Sequence, residues 1–266
     1  MNAKYGQRNW VFYLISLMTI VGLIILWFLL TPRVIPELIF PSPDSVWQAV
    51  RTLNLVLLEH SLVTLGRVLS GWLIGVVTGI SIGLLMTWSR VLFHISNPII
   101  EAIRPIPPIA LIPFFIIWFG IGISGQIILI ALGCFMVMAV NTYVSVHNIP
   151  PIFIRAASSL GASKRRIYRT IIIPAIIPSL VSGFRISAAL AFGTGMAAEF
   201  MGAQSGIGFL IMVARRTLNT NTILLGVIII GLESFFIDWI IRSISSQMCR
   251  WSDTPVEAIQ QASVRS

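Results

Sequence analysis

From Pro105 to Ile154 the chain carries not one Asp, Glu, Lys or Arg. A bilayer core of about 30 Å is crossed by roughly 20 apolar residues, each rising about 1.5 Å in a helix, so this stretch is long enough for more than one span. With 56% hydrophobic and 10% charged residues and a mean hydropathy of +0.92, the chain has too little polar surface to coat a soluble globule. The net charge of +9 does not point to nucleic acid. Its basic residues sit in short clusters between apolar runs with no aromatic-interleaved basic face, which suits anionic lipid headgroups and membrane orientation.

Six spans are expected by this ruler, in an all-α membrane protein: about Val11 to Thr31, Leu62 to Met86, Phe93 to Phe119, Gln126 to Val146, Ile171 to Phe200 and Thr222 to Ile244. The first is too long for a signal-peptide core and lacks a clear cleavage site, so it reads as retained. The third is expected to be broken, because Arg104-Pro105-Ile106-Pro107-Pro108 and then Pro113 remove donors and clash with the preceding turn. Gly120 to Gly125 is the turn that separates it from the fourth. Ahead of the second span, Ser42 or Asp44 is a plausible N-cap for an amphipathic surface helix over Asp44 to Leu58. Gly66, Gly71, Gly75, Gly79 and Gly83 predict a face for close helix packing in lipid.

Lys and Arg fall unevenly on the two sides. Lys4, Arg8, Arg90, the Arg155 to Arg169 cluster, Arg242, Arg250 and Arg265 lie on one, against Arg33, Arg51, Arg215 and Arg216 on the other. The positive-inside rule then makes both termini cytoplasmic and the Asp44 to Leu58 helix periplasmic. Residues 1–60 form an N-terminal unit, 61–245 a transmembrane core and 246–266 a cytoplasmic tail. Cys134 and Cys249 are far apart and without metal-type spacing, and His60, His94 and His147 are scattered near span ends, so neither a disulfide framework nor a metal site is indicated.

The longest cytoplasmic loop, Pro150 to Pro178, is a compact helix, turn, helix knob by local rules. Asn148 is expected to cap a first short helix whose opening turn tolerates Pro150 and Pro151. Arg155, Ala156 and Ala157 keep that helix slim, Gly161 supplies a left-handed C′ position, and Ser163 caps the second helix.

These residues resemble the permease subunits of binding-protein-dependent ABC importers, whose cytoplasmic signature is E-A-A, three residues, Gly, nine residues, I-x-L-P. Here Arg155-Ala156-Ala157, Gly161 and Ile171-Ile172-Ile173-Pro174 keep the spacing, with Arg155 in place of the usual Glu and Ile173 in place of Leu. The branch importing taurine, alkanesulfonates, nitrate or bicarbonate is resembled further at Phe40 to Pro43, Arg104 to Pro113, Trp118 to Gly122 and Ala197 to Leu210. The resemblance implies a homodimer in the bacterial inner membrane, two separate ATPase subunits holding ATP and Mg, and a periplasmic substrate-binding protein. It also implies that Arg155, Ala156, Ala157, Ser159, Leu160, Gly161, Ala162, Ser163 and Lys164 form a coupling loop seated on the ATPase. The chain itself is expected to be no enzyme and to need no cofactor. Its only lysines, Lys4 and Lys164, do not follow glycine in a Walker A pattern.

Charges inside spans are costly unless they face protein or water. Arg67, Glu101, Arg104, Arg185, Glu199, Glu233 and Asp238 are in that position. Glu101 and Arg104 are spaced to pair at i, i+3. Arg185 is a candidate either for an interhelical ion pair with Glu101 or Glu233 or for lining an anion path. Arg104, Arg185, Ser187, Thr194 and Glu199 are the candidate path residues, since guanidinium groups and hydroxyls can replace an anion's hydration shell. Which anion is carried stays open here, as does a stand-alone secondary transporter or channel, although no internal repeat favours it.

Overall fold

The computed structural model describes residues 3–31 and 35–248, with side chains described for 14–31 and 35–247. The side chains of Lys4, Arg8, Trp10, Arg33, Cys249, Arg250, Trp251 and Arg265, and most of the 246–266 tail, fall outside those residues. Among the described residues there is no strand, and ten α-helices follow one another: α1 (Ala3–Leu30), α2 (Pro43–Trp88), α3 (Arg90–Ile103), α4 (Ile112–Phe119), α5 (Ile123–His147), α6 (Pro151–Ser159), α7 (Lys164–Ile167), α8 (Ile173–Gly202), α9 (Ile207–Arg216) and α10 (Thr220–Met248). By length and composition four helices can cross a membrane: Pro43–Trp88, Ile123–His147, Lys164–Gly202 and Thr220–Gln247. Arg90–Ile103 and Pro108–Phe119 form a pair bent by 86°, a fifth if taken as one span, and Leu14–Leu30 is a shorter apolar helix. Of the six expected spans, four fall on these four helices, the third on the bent pair and the first on the shorter apolar helix.

The centre is α2 packed along α5, with α8 against both, and α10 packs against α9, α8 and α2. The α2–α5 seam follows from the glycines. A Cβ on Gly75 would stand 2.4 Å from the Ala131 carbonyl oxygen, and one on Gly83 would stand 2.6 Å from Thr142 Cβ. Only a hydrogen fits, so the backbones close to a distance that a side chain would forbid. Gly66 is a correction to the expected stripe, because it meets open space. It precedes Gly71 by five residues rather than four, and that step rotates it off the seam.

Three boundaries refine the sequence reading. Ser42 is the N-cap of α2, its side chain accepting from the Ser45 amide at 3.3 Å. The helix expected over Asp44 to Leu58 starts one residue earlier and is shorter: a non-helical break at Asn54, with φ +36° and ψ −110°, divides α2 into an opening helix over 43–53 and the long membrane helix that follows. The broken third span is as expected: α3 stops at Ile103, a 3-10 turn covers Pro108–Leu111, and α4 restarts with Pro113 in its first turn.

Candidate functional site

The helix, turn, helix knob is assembled almost wholly by local rules. Pro151 occupies the first turn of α6, where its missing N–H costs nothing. Asn148 does not cap α6: it ends α5, and Pro150 holds the N-cap position without a side-chain bond. The proline pair supplies the entry geometry that a capping side chain would otherwise give. At the other end Gly161 has φ +78°, and the Gly161 and Ala162 amides donate to the Ser158 and Ala157 carbonyls at 3.0 Å each. This double bond pattern is a Schellman closure. Ser163 then accepts from the Arg166 amide at 3.4 Å and starts α7, which passes through a π-turn at Tyr168–Ile172 into α8.

The knob's tip is open. Leu160 is 89% exposed, and Arg155, Ala156, Ser158, Ser159 and Gly161 are exposed around it. Its base is held. Lys164 Nζ donates to the Trp88 carbonyl and lies 4.7 Å from the Trp88 ring centroid. Tyr168 stacks edge-on against Trp88, and its hydroxyl donates to Thr87 Oγ1 at 3.0 Å. Ile149, Ile167 and Ile172 are buried with Val146 in one apolar cluster. The ends of α2, α5 and α8 are thus clamped around the foot of α6.

The opposite end of the bundle carries a buried polar network joining α2, α8 and the start of α9. Arg67 Nη1 pairs with Glu199 Oε1 at 3.0 Å and also donates to the Ser205 carbonyl at 2.6 Å; Nη2 reaches Ser205 Oγ at 2.8 Å. Glu199 further accepts from Thr64 Oγ1 at 2.9 Å and from the Gly208 amide at 2.8 Å. The Ile207 amide donates to Thr64 Oγ1 at 2.8 Å and the Gly206 amide to His60 Nδ1 at 2.9 Å. Glu199 therefore sits at the N-terminus of α9, where amides and helix dipole both favour a carboxylate. Gly206, at φ +113°, lies so close that a Cβ would come within 2.4 Å of Glu199 Oε2.

The five candidate path residues do not share one site. Glu199, with 2% of its surface exposed, is committed to the network. Ser187 is wholly buried, accepting from Trp72 Nε1 at 2.9 Å and donating to the Phe184 carbonyl, and Thr194 is buried as well. Arg104 is exposed on a cavity of about 630 Å³ between the broken α3–α4 segment, Asn141 on α5 and Leu190 on α8. Among the described residues it makes no ion pair with Glu101. Arg185 does form an interhelical pair, but its partner is Asp238 of α10 at 2.6 Å, not Glu101 or Glu233. Glu233 is buried and accepts from Ser61 instead. Sequence reasoning missed the pairing of Arg67 with Glu199. The signal was present: Arg67 lies near the start of its span and Glu199 near the end of an antiparallel one, so opposite charges stand at equal depth.

The sequence pattern of the family described as "Binding-protein-dependent transport system inner membrane component" matches residues 75–249. The chain is 32% identical over 232 residues to the taurine transport system permease protein TauC of Escherichia coli (strain K12), covering 85% of this chain and 84% of that one. It is 29% identical over 223 residues to the putative aliphatic sulfonates transport permease protein SsuC of Bacillus subtilis (strain 168), covering 83% and 81%. Among solved structures, a chain of the MetNI methionine ABC transporter in an inward-facing conformation superposes with a TM-score of 0.59 at 24% identity. That match covers 73% of this chain and 98% of the other, and it establishes likeness of fold.

Proposed function

The chain belongs to the family of binding-protein-dependent transport system inner membrane components, and from that premise we propose that it is the permease of an ATP-driven importer for an aliphatic sulfonate, with taurine first among the candidates and nitrate or bicarbonate next. It is a transport subunit, and ATP hydrolysis with Mg takes place on separate partners. Two copies of the chain form the path, two ATPase subunits dock on the knobs, and a periplasmic binding protein delivers substrate at the opposite face. The excess of basic residues at the knob end supports cytoplasmic termini. Arg51, Arg215 and Arg216, on the other side, are available to an acidic binding protein.

The observation that carries this reading is the knob itself. A knob that presents Ile152, Phe153 and Leu160 outward, on a base tied to three spans, supports a surface held by another protein. α6 is joined through Ser163 and α7 directly to α8, while Lys164 and Tyr168 tie the same segment to the end of α2. Displacement of the tip by a closing ATPase dimer is therefore transmitted to α2 and α8 together. Binding free energy for ATP biases an inward/outward equilibrium through this lever, with no chemistry in the chain itself.

Substrate class rests on the sulfonate-transporting relatives and on two guanidinium groups, Arg104 and Arg185, that border cavities. The test is ATP-dependent uptake of radiolabelled taurine, ethanesulfonate, nitrate and bicarbonate by proteoliposomes holding the full chain, its ATPase and its binding protein. Sulfonate uptake that the other anions do not compete away upholds the assignment. Transport of nitrate or bicarbonate in preference overturns the substrate class.

A further inference from the structure

α8 has an uncovered face on the side toward α10, and Arg185 stands on it. Its Nε donates to Asp238 Oδ1 at 2.6 Å and its Nη2 reaches Oδ2 at 3.4 Å, which leaves Nη1 without a protein partner among the described residues. Asp238 is shared, because Arg242, one turn further along α10, donates to Oδ2 at 2.8 Å. Two guanidinium groups against one carboxylate leave one positive charge in excess. A cavity of about 640 Å³ opens beside them. Ser182 and Ser234 line it with hydroxyls, and Ile186, Ala189, Gly231 and Phe235 give it apolar walls.

Depth sharpens the meaning of this arrangement. Within α8 (Ile173–Gly202), Arg185 stands about 18 Å from the first residue and about 25 Å from the last, at about 1.5 Å per residue. Arg185 therefore lies well inside a core about 30 Å thick. The side chains of Arg185 and Asp238 are still 39% and 27% exposed there. Charges left open at that depth face water or protein, not lipid tails.

We propose that Arg185, positioned by Asp238, is an oxyanion-binding residue of the translocation path, taking the sulfonate group of an alkylsulfonate on its free Nη1 together with the Ser182 and Ser234 hydroxyls. This rests on the permease reading above. The apolar walls receive the alkyl part. The cavity is wider than a small alkylsulfonate, so the ligand shares it with water and is held weakly enough to leave, as a site on a path requires. A tetrahedral oxyanion is also the headgroup chemistry of a phospholipid, and the experiment separates the two.

The test uses proteoliposomes of the full chain with its ATPase and binding protein, reading ATP-dependent uptake of radiolabelled taurine. Arg185→Gln is expected to lower the maximal uptake rate at least tenfold, and Arg185→Lys to retain a larger share of it. The charge swap Arg185→Asp with Asp238→Arg keeps an ion pair between α8 and α10 but moves the cation. It is expected to assemble with the ATPase like the wild type and still lose uptake at least tenfold. Wild-type uptake by the swapped chain makes the pair purely structural and overturns the proposal. Unchanged uptake by Arg185→Gln, alongside loss of a phospholipid that native mass spectrometry finds bound to the wild type, assigns the site to a lipid phosphate and overturns it too. Failure of the wild-type complex to move any sulfonate removes the permease reading itself, and this site with it.

Discussion

The knob end of the bundle and its opposite end are held together in contrasting ways. The knob is built from residues close in sequence: prolines at Pro150 and Pro151, a Schellman closure at Gly161, a cap at Ser163. The other end joins Thr64 and Arg67 to Glu199 and Ser205, groups more than a hundred residues apart, in a buried polar network. Local backbone devices give a stiff shape that can stand in water and be gripped. Long-range charge pairing gives a junction that cannot open without exposing an unpaired charge to a medium that solvates it poorly.

The comparison breaks most sharply at Glu199. Removing one partner of a buried pair costs about 3–5 kcal/mol, more than removing both. Glu199→Ala is thus expected to lose most of its folded yield and thermal stability in detergent, while Arg67→Met combined with Glu199→Leu recovers part of both, as size-exclusion and melting curves would report. A double variant no better than the single would mean that the Thr64 and Gly208 bonds, not the ion pair, hold the junction.

Next in size is the α2–α5 seam. Gly75→Val inserts atoms where a Cβ alone would lie 2.4 Å from the Ala131 carbonyl oxygen, and overpacking of this kind costs about 1–3 kcal/mol. Gly66→Ala, in open space, is the matched control and is expected to leave the melting temperature within error. Equal melting temperatures for the two would remove the seam from the account.

Smaller still is the effect of altering the knob. Gly161→Val forces a β-branched residue into the left-handed region, a strain of roughly 1–2 kcal/mol confined to the turn. Membrane insertion and melting are expected to change little, while ATPase coupling is lost. Ser163→Ala removes a cap worth about 1 kcal/mol and is expected to weaken coupling only partly, measured as uptake per ATP hydrolysed.

The same contrast explains what was legible in the sequence. Helices, their breaks at Pro105 to Pro108 and Gly120, and the closures at Gly161 and Ser163 are read from neighbours a few residues apart. Asn148 misled because a capping side chain and a proline pair compete for one turn, and the prolines fix φ without needing a bond. The path residues were less legible because a hydroxyl's spacing does not say which helix face it occupies. Ser187 and Thr194 lie on the packed face of α8, while Ser182, which the sequence did not single out, lies on the open one. For Arg185 the sequence left open an ion pair with Glu101 or Glu233 and a place on an anion path; the partner it finds is Asp238, through the way α10 lies along α8, which no local rule encodes.

The central claim is that the knob is the point at which another protein's ATP hydrolysis drives this chain. The most direct measurement is a detergent pull-down of the full chain with its proposed ATPase partner, followed by ATP hydrolysis and uptake with wild-type and Gly161→Val chains. The account predicts stable co-purification and an uptake signal that the substitution abolishes. Full uptake by the Gly161→Val complex, or gradient-driven uptake by the chain with no ATPase bound, would contradict it.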